Sequence, residues 1–384
     1  MEEKALYYQN AHLTEFTATV TGCQPQGENW GVVLDNTAFY PEGGGQGWDT
    51  GALDQAQVLA VREEGDRIVH TCDRPLPVGR QVRGRIDWPR RFDFMQQHTG
   101  EHILSGLVHR RYGFHNVGFH LGAETVTIDF DGIIPQGDLP ALEEQVNQAI
   151  WQDVPVRAWF ASPQELASLP YRSKRPLSGL VRLVEVPGYD LCACCGTHVA
   201  RTGEIGLVKI FSWCKFHQGV RLEVAWGGRA FRYLAAVWGQ NRQVSQLFSA
   251  KPLETAEAAR KVQQELEAQR YRAAGLETRV FAATAAALAG KGDQVLFEDG
   301  LTPETLRRLA DAVAETCGGR CCGFSGDGDR YRYALCSRRE DLRPLAKAMN
   351  QALRGRGGGQ PGLVQGSVQA TREEILAFFE KENE

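Results

Sequence analysis

The pattern of apolar and polar positions divides the chain into a β-rich beginning and a longer part in which helices and strands alternate. Residues 12–86 form short runs of alternating apolar and polar positions, separated by glycine, asparagine and aspartate, which predicts strands joined by turns. Residues 91–113 instead carry apolar side chains at helical spacing, with Gly113 as a stop signal. Further strands and one amphipathic helix are predicted between there and residue 228.

From Arg229 onward the apolar positions follow three- and four-residue steps, which predicts a helix. A second helix is predicted from Pro252 in its first turn to Gly275 at its end. The pattern leaves open whether these helices pair or continue as one rod. Residues 279–384 then alternate between helical and strand patterns, which is typical of an α/β domain.

Together these patterns predict an α+β protein, and its length of 384 residues favours two or three domains. The domain boundaries follow the changes in pattern. We predict a β-rich, barrel-like domain (1–88), an α+β domain (89–228), a helical connector (229–276) and a C-terminal α/β domain (277–384).

Charge and composition narrow the classes of function. The net charge of −4 excludes a globally basic nucleic-acid binder, but residues 229–384 have a net charge of +3 and the rest −7. Binding of a phosphate backbone is therefore expected in the C-terminal part. The sequence begins without a signal-peptide pattern and has no apolar run of membrane-spanning length, so we expect a cytoplasmic protein without membrane contact. In that compartment the ten cysteines are expected to be reduced, metal-bound or buried.

Two pairs of residues have spacing typical of metal ligands. His98 and His102 are four residues apart on the predicted helix, so both imidazoles lie on one face. Cys194 and His198 form a second pair with the same spacing. One thiolate with three imidazoles suits tetrahedral zinc, although a catalytic zinc needs an open or displaceable position. The alternative is an unliganded cysteine cluster with surface histidines.

A glycine-rich segment, FYPEGGGQGWDTG, interrupts the predicted strands. Gly43, Gly44 and Gly45 can adopt positive φ and bring backbone N–H groups against a ligand. Gln46 adds an amide that both donates and accepts hydrogen bonds. The segment is interpreted either as a binding loop or as a wide turn between strands.

These motifs and a fourth one match a known family in the same order. FYPEGGGQGWDTG, QQHTGEHILS, CCGTHVARTGEIG and RGGGQPGLVQG resemble the editing half of alanyl-tRNA synthetase and its free-standing relatives, the alanyl-tRNA editing proteins. The last motif resembles the DHHA1 domain, which binds nucleic acid. The resemblance implies trans-acting, zinc-dependent hydrolysis of the ester of mischarged Ser-tRNA(Ala), with Gly-tRNA(Ala) as a second candidate substrate.

The resemblance also implies roles for particular residues. His98, His102, Cys194 and His198 would bind one zinc per chain, with the GGGQ loop beside them. Cys195 is an additional thiol that leaves the ligand cysteine ambiguous, and spacing favours Cys194. His120 lies in the stretch where the synthetases have a glutamine-containing turn. The candidates for contact with the serine hydroxyl are Gln46, Thr99 and Thr197, and a loop-capping role fits Thr197 equally well.

The predicted partner is tRNA(Ala). Its phosphates are expected at Arg354, Arg356, Gly357, Gly358 and Gly359, where guanidinium groups and backbone amides converge. Arg90, Arg91, Lys174 and Arg175 are weaker candidates, because runs of charge are more often solvated faces.

Other functions compete with editing of tRNA(Ala). These are a non-catalytic RNA-binding module with structural zinc, an editing enzyme for another tRNA such as Ser-tRNA(Thr), and a phosphoesterase. The absence of the aspartate clusters of DHH phosphoesterases argues against the last. The connector or the C-terminal half could also form a homodimer.

Overall fold

The computed structural model describes residues 5–122, 124–173 and 179–382 of the chain, so Lys174 and Arg175 lie outside the described residues. The fold is a mixed α+β arrangement that contains a closed barrel, open sheets and helices. Contacts divide the chain into two compact units, Met1–Gln243 and Val244–Glu384. The predicted α+β class is therefore confirmed, while the four predicted domain boundaries stay a prediction. No helix in the described parts of the chain is long and apolar enough to cross a membrane.

A closed barrel of six strands forms the beginning of the first unit. Alternate residues of its strands point inward, as in the sixth strand, where buried and exposed positions alternate without a break. The inward residues build one apolar core around Phe39 and Leu53. A short helix, α1 (Leu6–Gln9), precedes the barrel. The barrel strands are β1 (Glu15–Gln26), β2 (Asn29–Leu34), β3 (Gly51–Leu53), β4 (Ala56–Glu64), β5 (Arg67–Cys72) and β6 (Gln81–Ile86), in the order β1-β2-β5-β4-β3-β6.

The long helix α2 (Trp88–Tyr112) is the centre of the remainder of this unit. The Asp87 side chain accepts a hydrogen bond from the Arg90 N–H at its start, and Gly113 ends it in a left-handed conformation (φ 75°), as the sequence predicts. Every residue from 94 to 108 is buried. Gly100 allows this burial, because an added Cβ would lie 2.3 Å from the Trp226 ring.

Two antiparallel sheets and two helices accompany α2. The four-stranded sheet has the order β12-β13-β8-β7 and shares an apolar core with α2, while the three-stranded sheet has the order β11-β10-β9. Their elements are β7 (Asn116–Leu121), β8 (Val126–Phe130), α3 (Leu139–Trp151), β9 (Arg157–Ala161), α4 (Pro163–Ser168), β10 (Val181–Val186), β11 (Asp190–Ala193), β12 (Val208–Phe216) and β13 (Gly219–Trp226).

The predicted helical segment after Arg229 is present, but both predicted boundaries of its second helix are wrong, since Pro252 lies before the helix and not in its first turn. Helix α5 (Gly227–Leu247) is followed by α6 (Thr255–Ala287), which continues for twelve residues beyond the predicted end at Gly275. A single glycine costs only about 1 kcal/mol in a helix interior. The alanines and long side chains on both sides offset that cost.

The second unit contains a five-stranded sheet covered by helices, with the order β14-β15-β16-β18-β17. Only β14 and β15 pair in parallel, and the other neighbours are antiparallel. The sequence predicts its alternation of helices and strands, apart from the two strands that begin at Arg356 and Leu363. Its elements after α6 are β14 (Gly292–Phe297), α7 (Pro303–Thr316), β15 (Gly318–Asp327), β16 (Arg330–Ser337), α8 (Arg343–Ala352), β17 (Arg356–Gln360), β18 (Leu363–Gln369) and α9 (Arg372–Lys381).

Candidate metal centre

Helix α2 and the segment after β11 bring the two predicted pairs of metal ligands together. His98 and His102 lie one turn apart on α2, and Cys194 and His198 follow the end of β11. One donor atom from each of these four residues lies within 4.8 Å of the others. The Cys194 Sγ atom is 3.4 Å from His98 Nε2. The chain therefore forms one compact cluster of a thiol and three imidazoles.

Each imidazole of this cluster is held by a hydrogen bond at its Nδ1 atom. His98 Nδ1 lies 3.0 Å from Gln46 Oε1, and His102 Nδ1 lies 2.8 Å from Asp190 Oδ2. His198 Nδ1 lies 3.3 Å from Thr99 Oγ1. When Nδ1 carries the proton and donates it, the lone pair of Nε2 remains free for a metal ion.

The cluster fits a tetrahedral zinc ion. Zinc–ligand bonds of 2.0–2.3 Å place neighbouring donors about 3.3–3.8 Å apart, which agrees with the distance between Cys194 and His98. His198 Nε2 is buried and has no hydrogen-bond partner among the described residues. A buried polar atom without a partner is costly, and a metal ion would satisfy it. These residues could therefore hold one metal ion.

The electrostatics of the cluster favour a thiolate. Burial opposes ionisation of Cys194, but the neighbouring histidines outweigh burial and hold its pKa well below the usual range. Burial also opposes a charge on His102, but hydrogen bonds with Asp190 and Cys194 raise its pKa to about 10. Burial dominates at His198 and lowers its pKa to about 3. Metal binding requires a thiolate and neutral imidazoles. Cys194 and His198 are already in the required state, whereas His102 has to release a proton.

Sequence reasoning missed Asp190, which holds His102, and Arg172, which holds Asp190. Asp190 is buried and accepts hydrogen bonds from Arg172 at both oxygens, at 2.7 Å and 2.9 Å, in addition to its contact with His102. Burial opposes the charge of Asp190, but the hydrogen bonds with His102 and Arg172 outweigh burial and lower its pKa. Asp190 lies four residues before Cys194, but that spacing alone is too common to be a signal.

A second group of donors, His102, Asp190 and Cys192, also lies within 4.8 Å. It is less suited to a metal ion. Both oxygens of Asp190 are already used by Arg172, and burial raises the pKa of the Cys192 thiol. The first cluster therefore remains the candidate metal centre.

The GGGQ segment forms a tight turn beside the cluster. Gly43 and Gln46 exchange two backbone hydrogen bonds, and Gly44 and Gly45 have φ values of 61° and 85°. Positive φ at both central residues of a turn favours glycine. A Cβ on Gly45 would also lie 2.8 Å from the Phe119 ring, which stacks on His98. Close packing thus excludes a side chain at this position.

The polar atoms of Gln46 and Thr197 are directed towards each other and towards the cluster. Gln46 is 1% exposed, its Nε2 donates to Thr197 Oγ1 (2.8 Å), and its Oε1 accepts from the Thr197 backbone N–H (3.2 Å) as well as facing His98. Thr99 Oγ1 accepts from the Val199 backbone N–H (3.2 Å). These contacts orient the histidine ligands and the loop that carries Thr197. Direct contact of Gln46, Thr99 or Thr197 with a substrate remains a prediction.

The loop that carries Cys194 is fixed by a buried arginine. Arg182 Nη1 donates to the carbonyl oxygens of Cys194 (3.0 Å) and Gly196 (2.9 Å). Cys194 is partly exposed, whereas the three histidines are buried, so the cluster approaches the surface at Cys194. Cys195 is exposed and is not part of the cluster, and neither is the exposed His120.

The arginines predicted to contact phosphates differ in their surroundings. Arg91 is fully buried in an ion pair with Asp49, so its interpretation as a phosphate contact or a solvated charge is wrong. Arg90 donates from Nε to the Trp48 carbonyl and packs over the Phe94 ring. Both arginines connect α2 to the segment that contains Trp48 and Asp49.

The predicted phosphate segment of the second unit is an edge strand. Arg356, Gly357, Gly358 and Gly359 belong to β17, which pairs only with β18 in the described sheet, and all four are exposed. An edge strand leaves one row of backbone groups unpaired. Arg354 precedes it at a positive φ of 50° and donates from Nε to the Gln369 carbonyl (2.9 Å).

The sequence of this chain is similar to tRNA synthetases and to alanyl-tRNA editing proteins. Residues 181–221 match the family described as the threonyl and alanyl tRNA synthetase second additional domain, and residues 2–90 match the family of class II (A) tRNA synthetases. An alanine–tRNA ligase of Thermofilum pendens is 32% identical over 96% of this chain, which spans 42% of the ligase. The alanyl-tRNA editing protein Aarsd1-A of Xenopus laevis is 31% identical over 68% of this chain and 67% of its own length.

A solved structure, the C-Ala domain from Aquifex aeolicus alanyl-tRNA synthetase, matches 24% of this chain and 92% of its own length. Its sequence identity is 22% and the TM-score is 0.22.

Proposed function

The chain belongs to the family of alanyl-tRNA editing proteins and the related editing domains of alanine–tRNA ligases, and from this premise we propose that it hydrolyses the ester bond of mischarged tRNA(Ala). Serine is the amino acid we propose to be removed, with glycine as a second substrate to be tested. The observation that carries the proposal is the cluster of Cys194 with three imidazoles, each held at Nδ1.

His98, His102, Cys194 and His198 would hold one zinc ion per chain. When bound there, zinc would polarise the ester carbonyl and lower the pKa of a bound water. Gln46, Asp190 and Thr99 keep the three imidazoles in position through their Nδ1 atoms. Because Cys194 is the partly exposed ligand, the terminal ribose of tRNA would approach from that side.

Serine must be distinguished from alanine by its hydroxyl group. A site that hydrogen-bonds this hydroxyl would leave polar groups unpaired when alanine binds, and unpaired polar groups are costly. Thr197, Thr99 and Gln46 remain the proposed contacts. Their side chains are buried and paired with each other or with the ligands, so a serine hydroxyl would have to join or replace these hydrogen bonds.

The tRNA-binding residues are proposed in the second unit. Arg354, Arg356 and the backbone of Gly357, Gly358 and Gly359 would contact phosphates, because both guanidinium groups and one edge of β17 are exposed. Residues 244–384 carry as many acidic as basic side chains, so the placement rests on these exposed groups and not on net charge.

Two other functions compete with this proposal. In the first, zinc is purely structural and the chain only binds RNA, which would be consistent with four protein ligands that fill a tetrahedral shell. In the second, the substrate is Ser-tRNA(Thr). The family matched by residues 181–221 includes both threonyl and alanyl synthetases, whereas the relatives named above are alanyl proteins.

One deacylation experiment separates these functions. Purified protein is incubated with tRNA(Ala) carrying serine, glycine or alanine, and with tRNA(Thr) carrying serine. We expect rapid loss of serine from tRNA(Ala) and slow loss of alanine. Faster hydrolysis of Ser-tRNA(Thr) would reassign the substrate. If all four esters decay at the rate seen without protein while tRNA still binds, the chain is a binding module.

A further inference from the structure

One face of the five-stranded sheet in the second unit carries a cavity of about 710 Å³. Four arginines contribute to its lining: Arg330, Arg332, Arg354 and Arg356. We propose that this cavity, called the arginine cleft below, binds consecutive phosphates of an RNA backbone. The inference rests on the proposed function in taking the RNA to be tRNA, and it adds Arg330 and Arg332 to the residues considered so far.

The sheet register places the arginines in two rows across neighbouring strands. Arg332 of β16 is paired with Ser367 of β18, which is paired with Arg356 of β17. Residues that are directly opposite in antiparallel strands project on the same face. Arg332 and Arg356 are two strands apart, or about 10 Å at the usual strand spacing.

The second row contains Arg330 and Arg354. Arg330 is paired with Gln369 of β18, and Arg354 donates a hydrogen bond to the carbonyl oxygen of the same Gln369. Arg330 and Arg332 are two residues apart on β16, so their side chains project on the same face. The four guanidinium groups therefore surround one patch of the sheet.

The charges of the arginine cleft are largely unneutralised. Among the described residues, Arg330, Arg332 and Arg356 form no ion pair, and all three are exposed. Arg354 faces Glu374 at 3.6 Å, and Asp327 is the register partner of Arg330 across the hairpin. None of the described residues that line the cavity is acidic, so the four guanidinium groups give its lining an excess of positive charge.

Other exposed arginines of the same unit form ion pairs with aspartates. Arg338 lies 2.8 Å from Asp311, and Arg343 lies 2.6 Å from Asp341. Exposed arginines without a carboxylate partner keep their donors available for a ligand. Arginine binds phosphate with two parallel hydrogen bonds, which makes it well suited to a phosphate backbone.

The wall of the arginine cleft is formed by Gly300, Leu301 and Thr302, at the start of α7. The Thr302 side chain accepts a hydrogen bond from the Thr305 N–H and so caps this helix. The positive end of the helix dipole adds to the field of the arginines. It is a secondary contribution, because Glu304 in the first turn opposes it.

The dimensions favour a chain of phosphates over a single ion. The backbone positions of Arg332 and Arg356 are about 10 Å apart, so their guanidinium groups can contact different phosphates of one chain. Of the described residues that line it, none belongs to the run Gly357, Gly358 and Gly359. The side chains on the sheet face, and not the glycine backbone, would then provide most of the affinity.

The test compares two double variants of the full chain that lose the same charge. Arg330→Gln with Arg332→Gln removes half of the arginine cleft. Arg338→Gln with Arg343→Gln is the matched control, because these exposed arginines of the same unit are paired with aspartates away from the cavity. Binding of uncharged tRNA(Ala) is measured by fluorescence anisotropy between 50 and 200 mM KCl.

We expect the dissociation constant of the cleft variant to rise by about tenfold at the lowest salt. The slope of log affinity against log salt should fall in magnitude by about 1.4–1.8, the value for two lost phosphate contacts. The control should stay within about twofold of the parent protein. Equal affinities and slopes for the cleft variant and the control would overturn the inference.

A competition experiment separates RNA from free phosphate. Inorganic phosphate is added at the same total phosphate concentration as an unlabelled RNA competitor. We expect only the RNA to displace the labelled tRNA, and equal displacement by inorganic phosphate would overturn the assignment to RNA. Binding of uncharged tRNA does not depend on hydrolysis. A protein that binds through the arginine cleft but deacylates nothing would refute the proposed function alone.

Discussion

Gln46 Oε1 lies 3.0 Å from His98 Nδ1, and this contact joins a turn of the barrel to the central helix of the candidate metal centre. The two residues are 52 positions apart in the chain. The same oxygen accepts a hydrogen bond from the Thr197 backbone N–H, one residue before His198. A single amide group therefore positions ligand-bearing segments from both halves of the site.

This contact changes what we expect of Gln46. A group that holds the Nδ1 atom of a ligand histidine fixes the tautomer and the ring orientation, and loss of such a partner costs 10- to 100-fold in metal affinity in well-studied sites. We predict that Gln46→Ala weakens zinc binding by about 10- to 100-fold, measured by competition with a chromophoric chelator. Gln46→Glu, which retains an acceptor oxygen, should lose less.

A change in substrate selectivity without a loss of zinc affinity would contradict this prediction for Gln46. If Gln46→Ala left zinc affinity unchanged and altered the ratio of hydrolysis of Ser-tRNA(Ala) to Ala-tRNA(Ala), the side chain would act on the substrate and not on His98. Both measurements use the same preparation. Thermal unfolding of that preparation would reveal a folding defect.

The second prediction concerns the identity of the ligand cysteine. Cys194 lies in the cluster and Cys195 is exposed beside it. We expect about one zinc per chain in protein purified without added metal, and a large loss in Cys194→Ser. Cys195→Ser is the matched control and should retain the full content. Elemental analysis gives the result, and a loss confined to Cys195→Ser would mean that the neighbouring thiol is the ligand.

Some of this site was predictable from the sequence and some was not. The four-residue spacing of His98 and His102 follows from the helical period, and both positions could be predicted from local pattern alone. Asp190 could not, because it meets His102 only after β11 has packed against α2. Arg172 could not either, because it reaches Asp190 from a separate segment before β10. Contacts between distant residues have no periodic signal.

Contacts between distant residues also explain the errors in the fold. Arg91 reads as part of a charged run, WPRR, but folding places it between Asp49 and the carbonyl oxygens of Ala11 and Ala38. A fully buried guanidinium group is rare unless it is paired, so sequence alone favours a solvated position. The glycine run at Gly357 has no side chains that would predict a strand, yet pairing with β18 makes it one.

The third prediction concerns Asp190. Its carboxylate is shared by His102 and Arg172, and all three are largely buried. Asp190→Ala would leave a buried guanidinium group without its partner, which typically costs 3–5 kcal/mol. We expect a loss of about that size in the free energy of unfolding and weaker zinc binding. Asp190→Asn retains an acceptor oxygen for His102 Nδ1. We expect this variant to keep most of the zinc affinity but to lose much of the free energy of unfolding.

The comparison between the two Asp190 variants is informative because each partner depends on a different property. Arg172 requires the negative charge, while His102 requires only an acceptor oxygen. Urea unfolding reports the first and chelator competition reports the second. If both variants lost zinc affinity equally, the charge of Asp190, and not its position as an acceptor, would be what His102 needs.

The last prediction concerns acid stability and His70, which lies in the barrel away from the metal ligands. His70 is fully buried, its Nε2 is 2.8 Å from Thr37 Oγ1, and its Nδ1 is 3.0 Å from the Val32 carbonyl. Burial lowers its pKa from 6.5 to about 4, although the hydrogen bond with Val32 opposes this shift. The folded barrel therefore holds His70 in its neutral form.

The sign of the effect follows from proton binding. Between pH 6.5 and pH 4 the unfolded chain binds a proton at His70 and the folded chain does not, so stability falls as the pH is lowered through this window. The total loss from a shift of this size is about 3 kcal/mol. In His70→Gln this contribution is absent, and the side chain can still donate a hydrogen bond to the Val32 carbonyl. We expect the variant to be less stable than the parent at pH 7, but to lose about 2–3 kcal/mol less between pH 7 and pH 4.5, measured by urea unfolding. The other histidines are present in both proteins, so their effects cancel in the comparison. Parallel pH profiles for the two proteins would mean that the barrel accommodates a charged imidazole and that burial at His70 does not control acid stability.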